Sequence, residues 1–203
     1  MRRRTVREVE IKLRVRDLAA LIGRLRALGA RCGGRVFERN VLYDTPESDL
    51  RRGGRLLRLR VEAPARSKWL PGGRSRSAVT SKRPAPSSEK SRYKEKLERE
   101  LAVVRPERWP ATLSSIGFRA GFCYEKCRTT FHWGGLHLDL DETPVGTFLE
   151  LEGSPRLIDR VARRLGYSPR DYIRATYWDV FQTDCRARGR FPRNMLFRKK
   201  KSR

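Results

Sequence analysis

The stretch Glu8-Val9-Glu10-Ile11-Lys12-Leu13 alternates charged and apolar residues without a break. A β-strand sends successive side chains to opposite faces. Glu8, Glu10 and Lys12 therefore share one face, and Val9, Ile11 and Leu13 the other. One such strand would fit any half-exposed sheet. The pattern recurs, however, with Arg58 and Arg60 set among Leu57, Leu59 and Val61, with Asp139 and Asp141 among Leu136, Leu138 and Leu140, and with Glu150 and Glu152 beside Leu149 and Leu151. The charges are also sorted. Carboxylates dominate the strands of Glu8, Asp139 and Glu150, whereas basic residues dominate those of Arg58, Lys82, Lys126 and Arg128. A solvated face would mix the signs. The sorting predicts a sheet closed on itself, with one sector of the interior anionic, the rest cationic, and helices against the apolar outside.

The elements expected along the chain are a strand over 6–15, a helix over 18–28 capped by Asp17 and ended by Gly29, and strands over 35–44 and 55–62. An irregular, Pro-, Gly- and Ser-containing stretch over 63–77 reads as a long loop. Strands over 78–83 and 92–104 follow, flanking a loop over 84–91. The second of these competes with a helix, because Lys94-Glu95-Lys96-Leu97-Glu98 are good helix formers. A helix over 106–116, strands over 118–132, 136–142 and 147–153, and helices over 155–165 and 170–181 complete the domain. The expected fold is thus α+β: an eight-stranded antiparallel β-barrel with helices packed outside, spanning residues 1–183.

Residues 184–203 are expected to form a basic, disordered tail. From Arg186 onward they hold nine basic side chains and no carboxylate, with too few apolar residues to offset the entropy of ordering. Such a tail is expected to be dispensable for chemistry in the barrel and to add salt-sensitive contact with RNA or polyphosphate. The whole chain points the same way: 48 Lys and Arg against 23 Asp and Glu leave a net charge of +25 over 203 residues, a strong attraction for polyanions. No apolar run approaches the ~20 residues of a membrane span, and Met1-Arg2-Arg3-Arg4 runs into a strand without an apolar signal core. Cys32, Cys123, Cys127 and Cys185 form no Cys-x-x-Cys pair. Cys123 and Cys127 lie about 13 Å apart on one strand, too far for a disulfide. All four are expected to be small buried hydrophobes, in a cytoplasmic protein.

A charged interior is costly unless each charge is matched. A polyphosphate carrying a divalent metal would match this one: phosphate oxygens suit Arg and Lys, and carboxylate oxygens suit magnesium or manganese better than zinc.

Glu8-x-Glu10-x-Lys12 is similar to the signature of the CYTH domain, the triphosphate tunnel metalloenzymes. This family includes thiamine triphosphatases, inorganic triphosphatases and class IV adenylate cyclases. The resemblance continues through Leu57-Arg58-Leu59-Arg60, Thr80-Ser81-Lys82, Lys94 to Glu100, Lys126-Cys127-Arg128, Asp141 and Glu150-Leu151-Glu152. It implies metal ligands at Glu8, Glu10, Glu150 and Glu152 supported by Asp141, with Mg2+ or Mn2+ as cofactor. It implies a triphosphate clamp of Lys12, Arg58, Arg60, Lys82, Lys126 and Arg128, with Arg174 on the last helix closing one mouth. Lys94 stands where family members often carry arginine, and is expected either to join the clamp or to orient or deprotonate the attacking water. Asp139 is expected to support the ligands from behind. The implied activity is hydrolysis of a small-molecule triphosphate, with Glu10, Glu150 and Lys94 as the catalytic groups. An adenylate cyclase of the same architecture, or a binding module for polyphosphate or RNA without chemistry, are the alternatives. Asn40-Val41-Leu42-Tyr43-Asp44 is closer to the phosphatase branch.

Overall fold

The structure, a computed structural model, describes residues 5–65, 72–86, 91–190 and 193–198. The basic start at 1–4, the middle of both expected loops (66–71 and 87–90) and tail positions 191–192 and 199–203 lie outside the described residues.

The strands are β1 Val6–Val15, β2 Arg31–Asp44, β3 Leu56–Pro64, β4 Arg76–Pro84, β5 Lys94–Ala102, β6 Arg119–Trp133, β7 Leu136–Thr143 and β8 Gly146–Glu152. They pair antiparallel into a closed barrel in the order β1-β5-β4-β3-β2-β6-β7-β8. The sheet closes with the charged parity on one continuous face, because directly opposed residues share a face. The pairs Glu8↔Lys96, Lys82↔Glu98, Arg58↔Thr80, Asn40↔Arg60, Glu38↔Lys126, Arg128↔Asp141, Asp139↔Glu150 and Lys12↔Glu150 run the whole way round. The expected anionic sector is contiguous, since β7, β8 and β1 are neighbours.

The opposite parity makes the core. Ile11, Leu13, Leu138, Leu140, Leu149 and Leu151 are buried beneath helices α1 (Leu18–Ala27) and α4 (Pro155–Arg164), which contribute Leu21, Ile22, Leu25, Ile158 and Val161. Asp17 caps α1, its Oδ1 accepting from Ala20 N at 2.9 Å. The β6–β7 hairpin turns on Gly134 and Gly135, both at positive φ (52° and 84°), as a tight two-residue turn requires.

Several bounds differ from expectation. β2 begins at Arg31 and β4 at Arg76, so more of the irregular sequence is strand than its Gly and Ser content suggested. Residues 94–102 are strand, not helix: β5 lies between β1 and β4, and pairing on both edges overrides helix propensity. A short helix α2 (Asp49–Arg52) sits before β3, and α3 (Trp109–Ser115) follows a 3-10 turn at Pro106–Arg108. Cys32 is exposed, Cys123 and Cys127 half-buried, and only Cys185 buried, so one cysteine of the four fits the expected core role.

The largest corrections concern the C-terminal end. The last helix, α5, spans Tyr177–Ala187, not 170–181; Pro169–Asp171 is a 3-10 turn, and Arg174 lies in the link before α5 rather than on a helix. Thr176 and Asp179 form the capping box that starts α5, Thr176 N donating to Asp179 Oδ2 at 2.9 Å and Asp179 N to Thr176 Oγ1 at 3.2 Å. Past α5 the described part of the tail is ordered. The half of β6 that β7 does not reach offers a free edge, and Met195 docks there. Its N–H donates to Cys123 O at 3.0 Å, and its carbonyl accepts from Glu125 N at 2.9 Å. Asn194 Oδ1 accepts from Cys123 N at 2.9 Å. Met195 is buried among Tyr124, Tyr177, Val180 and Phe181. Met195→Ala is therefore expected to cost about 2–5 kcal/mol of stability, read as a lower midpoint in urea at unchanged slope; a change within error would detach the tail from the core. Truncation after Thr183 is expected to destabilise the barrel, against the reading from composition.

Candidate active site

The site is the lumen. Following each paired register and stepping one inward position toward α5 at every strand gives a ring that closes on itself. Its members are Glu10, Glu150, Asp141, Lys126, Asn40, Arg58, Lys82 and Lys96. The next ring away from α5 holds Glu8, Glu152, Asp139, Arg128, Glu38, Arg60, Thr80 and Glu98. The next toward α5 holds Lys12 and Lys94 with Phe148, Tyr124 and Leu42, and this end is capped: Tyr177 of α5 packs on Tyr124 and Phe148, with ring centroids 5.9 and 5.8 Å away.

The sequence-predicted residues thus converge, apart from Arg174. Lys12 is buried and pairs with Glu150 at 2.9 Å. Its Nζ also lies 4.4 Å from the centre of the Tyr177 ring. Lys82 bridges Glu8 and Glu98, each at 2.6 Å. Arg128 holds Asp141 by two bonds, at 2.7 and 2.6 Å, reaches Asp139 at 2.8 Å, and also pairs with Glu150. Arg60 meets Asn40 Oδ1 at 3.0 Å and Glu38 at 3.3 Å. Arg58 donates from Nη2 to Thr80 Oγ1 at 3.2 Å. Its Nε is buried without a hydrogen-bond partner among the described residues, and an orphaned guanidinium N–H is costly unless an acceptor arrives. The hydrogen bond from Arg7 lowers the pKa of Glu95, with a hydrogen bond from Ser91 and, least, the charge of Arg174 acting the same way; the odd parity of Glu95 on β5 points it away from the lumen.

Two roles gain detail. Asp141 is fully buried, and both its oxygens are taken, by Lys126 Nζ at 2.8 Å, by Arg128, and by the Tyr177 hydroxyl at 2.7 Å. It anchors the cations and the cap of the barrel. Lys94 pairs with Glu10; although burial opposes its charge, the carboxylates of Glu10, Glu150 and Glu8 push its pKa well above the usual lysine range. Of its two expected roles, the pairing with Glu10 fits the clamp.

The carboxylates divide into held and unheld. Burial opposes ionisation of Glu10, but Lys94, Lys12 and Lys82 bring its pKa down to about 2. Glu150 is held well below the usual range by Lys12, Lys126 and Arg128 against the same burial. Glu152 is pushed up to about 7 by burial and by Glu8, Glu10 and Asp139. It stands directly opposite Glu10 on the neighbouring strand, so negative charge is crowded at the junction of β1 and β8.

Residues not singled out from the sequence complete the lumen. Glu38 is fully buried and its pKa is held down by Arg60, Lys126 and Arg128, against burial. Lys96 and Glu98 share the parity of Lys94 on β5, which is the signal that finds them. Glu38 and Asn40 carry the same two-residue spacing, masked by Arg39 on the outer face. Tyr177 comes from a helix, and no strand periodicity can reveal it.

Comparison with known proteins places these observations. The family model of the CYTH domain matches residues 6–177. Among solved structures, a candidate adenylate cyclase from Vibrio parahaemolyticus superposes with a TM-score of 0.71 at 20% identity, covering 86% of this chain and 97% of its own. A Pyrococcus horikoshii protein gives a TM-score of 0.66 at 23% identity, over 85% and 98%. A candidate adenylyl cyclase from Hippeastrum, in which a dominant triphosphatase activity was found, gives 0.59 at 21% identity, over 91% and 97%. No curated protein sequence matches. At these identities the structural likeness speaks for the fold alone.

Proposed function

The chain belongs to the CYTH domain family, and from that premise we propose that its lumen binds a small-molecule triphosphate and hydrolyses it with Mg2+ or Mn2+. The observation that carries the reading is the arrangement of the lumen: a carboxylate arc on β7, β8 and β1 faces Lys126, Arg58, Lys82 and Lys96 across one ring.

Glu8, Glu10, Glu150 and Glu152 are the residues that would hold the cation. Hard carboxylate oxygens are the donors these ions take, and the crowding that lifts Glu152 is what a divalent cation would relieve. Among the described residues no three such side chains are gathered on one point as they stand, because Glu8 is turned onto Lys82, Glu10 onto Lys94, and Glu150 onto Lys12 and Arg128. A triphosphate gives those cations other partners and frees the carboxylates. When bound, the cation supplies Lewis acidity toward the phosphoryl oxygens.

The chain's own groups do the rest. Lys12, Arg58, Arg60, Lys82, Lys126 and Arg128 hold the phosphates and neutralise charge gathering on the equatorial and leaving oxygens. Arg58 Nε is a donor already desolvated for that purpose. Glu10 and Glu150, ionised at neutral pH, position the attacking water, whose proton leaves with the orthophosphate formed. The water oxygen bonds to the terminal phosphorus as the bridging P–O bond breaks, and its electron pair leaves on the bridging oxygen.

The same lumen would serve a cyclase if a ribose 3′-hydroxyl replaced water. The test is the product formed from ATP and from tripolyphosphate with Mg2+ or Mn2+. Orthophosphate release without cyclic nucleotide is expected; cyclic nucleotide with pyrophosphate would assign the cyclase reaction, and neither product would leave a binding module.

A further inference from the structure

The lumen does not account for the charge of this protein. Its inward lysines and arginines stand among an equivalent set of carboxylates, so the excess of +25 is carried by the exterior. One rigid part of that exterior is all arginine. Arg156, Arg160, Arg163 and Arg164 fall at helical spacing on α4, opposite the buried Ile158, Val161 and Ala162, and all four are exposed. Among the described residues, Arg156, Arg160 and Arg163 make no ion pair, and Arg164 lies over the ring of Trp133 at 5.7 Å. The one acid of α4, Asp159, is turned aside to Arg92 and to the Tyr172 hydroxyl. α1 is fastened alongside, Arg24 Nη1 donating to Leu165 O at 2.8 Å.

This face carries local costs that the fold does not explain. Like charges at i,i+4, as in Arg156 with Arg160 and Arg160 with Arg164, destabilise a helix. Arg156 also opposes the positive end of the helix dipole, and no acid stands in the first turn. A polyanion would offset both.

We propose that the outer face of α4, extended by Arg24 of α1, docks the phosphodiester backbone of a nucleic acid. Arginine forks match phosphate oxygens pairwise, and the side chains are presented one helical turn apart, about 5.4 Å. An anionic bilayer fits less well. A helix that lies on a membrane needs apolar residues to insert, and the large apolar residues exposed among the described positions (Val6, Val61, Val104, Ile116, Leu196 and Phe197) all lie off α1 and α4. The surface stands outside the barrel wall, so this inference is independent of the reaction in the lumen.

The experiment is binding of fluorescent poly(U) by the full chain across a KCl series. Wild type is compared with a variant carrying Arg156→Gln, Arg160→Gln, Arg163→Gln and Arg164→Gln. Glutamine keeps helix propensity, and an unchanged melting temperature checks the fold. Each single-strand phosphate contact contributes about −0.7 to the slope of log K against log salt. The variant is expected to lose roughly 2–3 of slope magnitude on that scale, and to bind more than tenfold more weakly at low salt. A second variant, with Lys199, Lys200 and Lys201 changed to Gln, separates the tail. An unchanged slope in the α4 variant, whether or not the tail variant loses binding, overturns the proposal. So does lost binding to phosphatidylserine vesicles with poly(U) binding intact, which would make the face a membrane contact.

Discussion

Asp141→Ala is expected to destabilise the barrel by about 3–5 kcal/mol, the cost of stripping one partner from a buried charge network. Asp141 is fully buried, and its oxygens receive Lys126, Arg128 and the Tyr177 hydroxyl. Removing it leaves two cations in a space where burial already disfavours charge, and frees the phenol that ties α5 to the barrel. Urea unfolding reads this directly as a large fall in the midpoint. Asp141→Asn keeps an acceptor but loses the charge, and is expected to fall between the two. A loss below 1 kcal/mol in the Ala variant would mean that the network is solvated rather than buried.

Arg58→Ala has the second large expected effect, this time on chemistry. The Arg58 guanidinium is buried, donates to Thr80 and keeps one N–H without a partner among the described residues. Among the described residues Arg58 forms no ion pair with a carboxylate, and the buried Glu38 keeps Arg60, Lys126 and Arg128, so its removal strands no buried anion. Tripolyphosphate hydrolysis is expected to fall by about 10²–10³ in kcat, the usual loss for one preorganised donor at a developing negative charge. Phosphate release at saturating substrate measures it, with the unfolding midpoint as control. A variant that kept its kcat and raised only KM would confine Arg58 to uniform binding.

The barrel was legible because its signal is local and periodic. The alternation around Glu8, Arg58, Asp139 and Glu150 sets which face is inward, and in a closed sheet that choice decides the whole lumen. Lys94 and Asp141 show where this reading stops. Periodicity says that both point inward, but not that Glu10 would hold Lys94 as a cation or that Asp141 would be consumed by Arg128, Lys126 and a tyrosine from α5. Those depend on which charges meet across the lumen, which register and barrel stagger decide. The described part of the tail departs from expectation for a related reason. Composition made residues past Arg186 look unable to fold, yet Met195 needs only the free edge of β6 and a gap beside Tyr124. A single buried side chain in a basic segment leaves no compositional trace. The capping box at Thr176 and Asp179, by contrast, was present in the sequence and would have placed the start of α5 correctly.

The central claim is that lumen carboxylates hold a divalent cation for hydrolysis of a triphosphate bound by the facing cations. It is tested most directly by phosphate release from tripolyphosphate as Mg2+ is titrated, for wild type and for Glu10→Gln. Gln preserves the size of the side chain and removes its charge. The wild-type rate is expected to vanish in chelator and to saturate with Mg2+, while the variant needs a higher Mg2+ concentration for half its maximum and reaches a lower one. Equal release in chelator and in Mg2+, or a Glu10→Gln curve superimposable on wild type, would contradict the account.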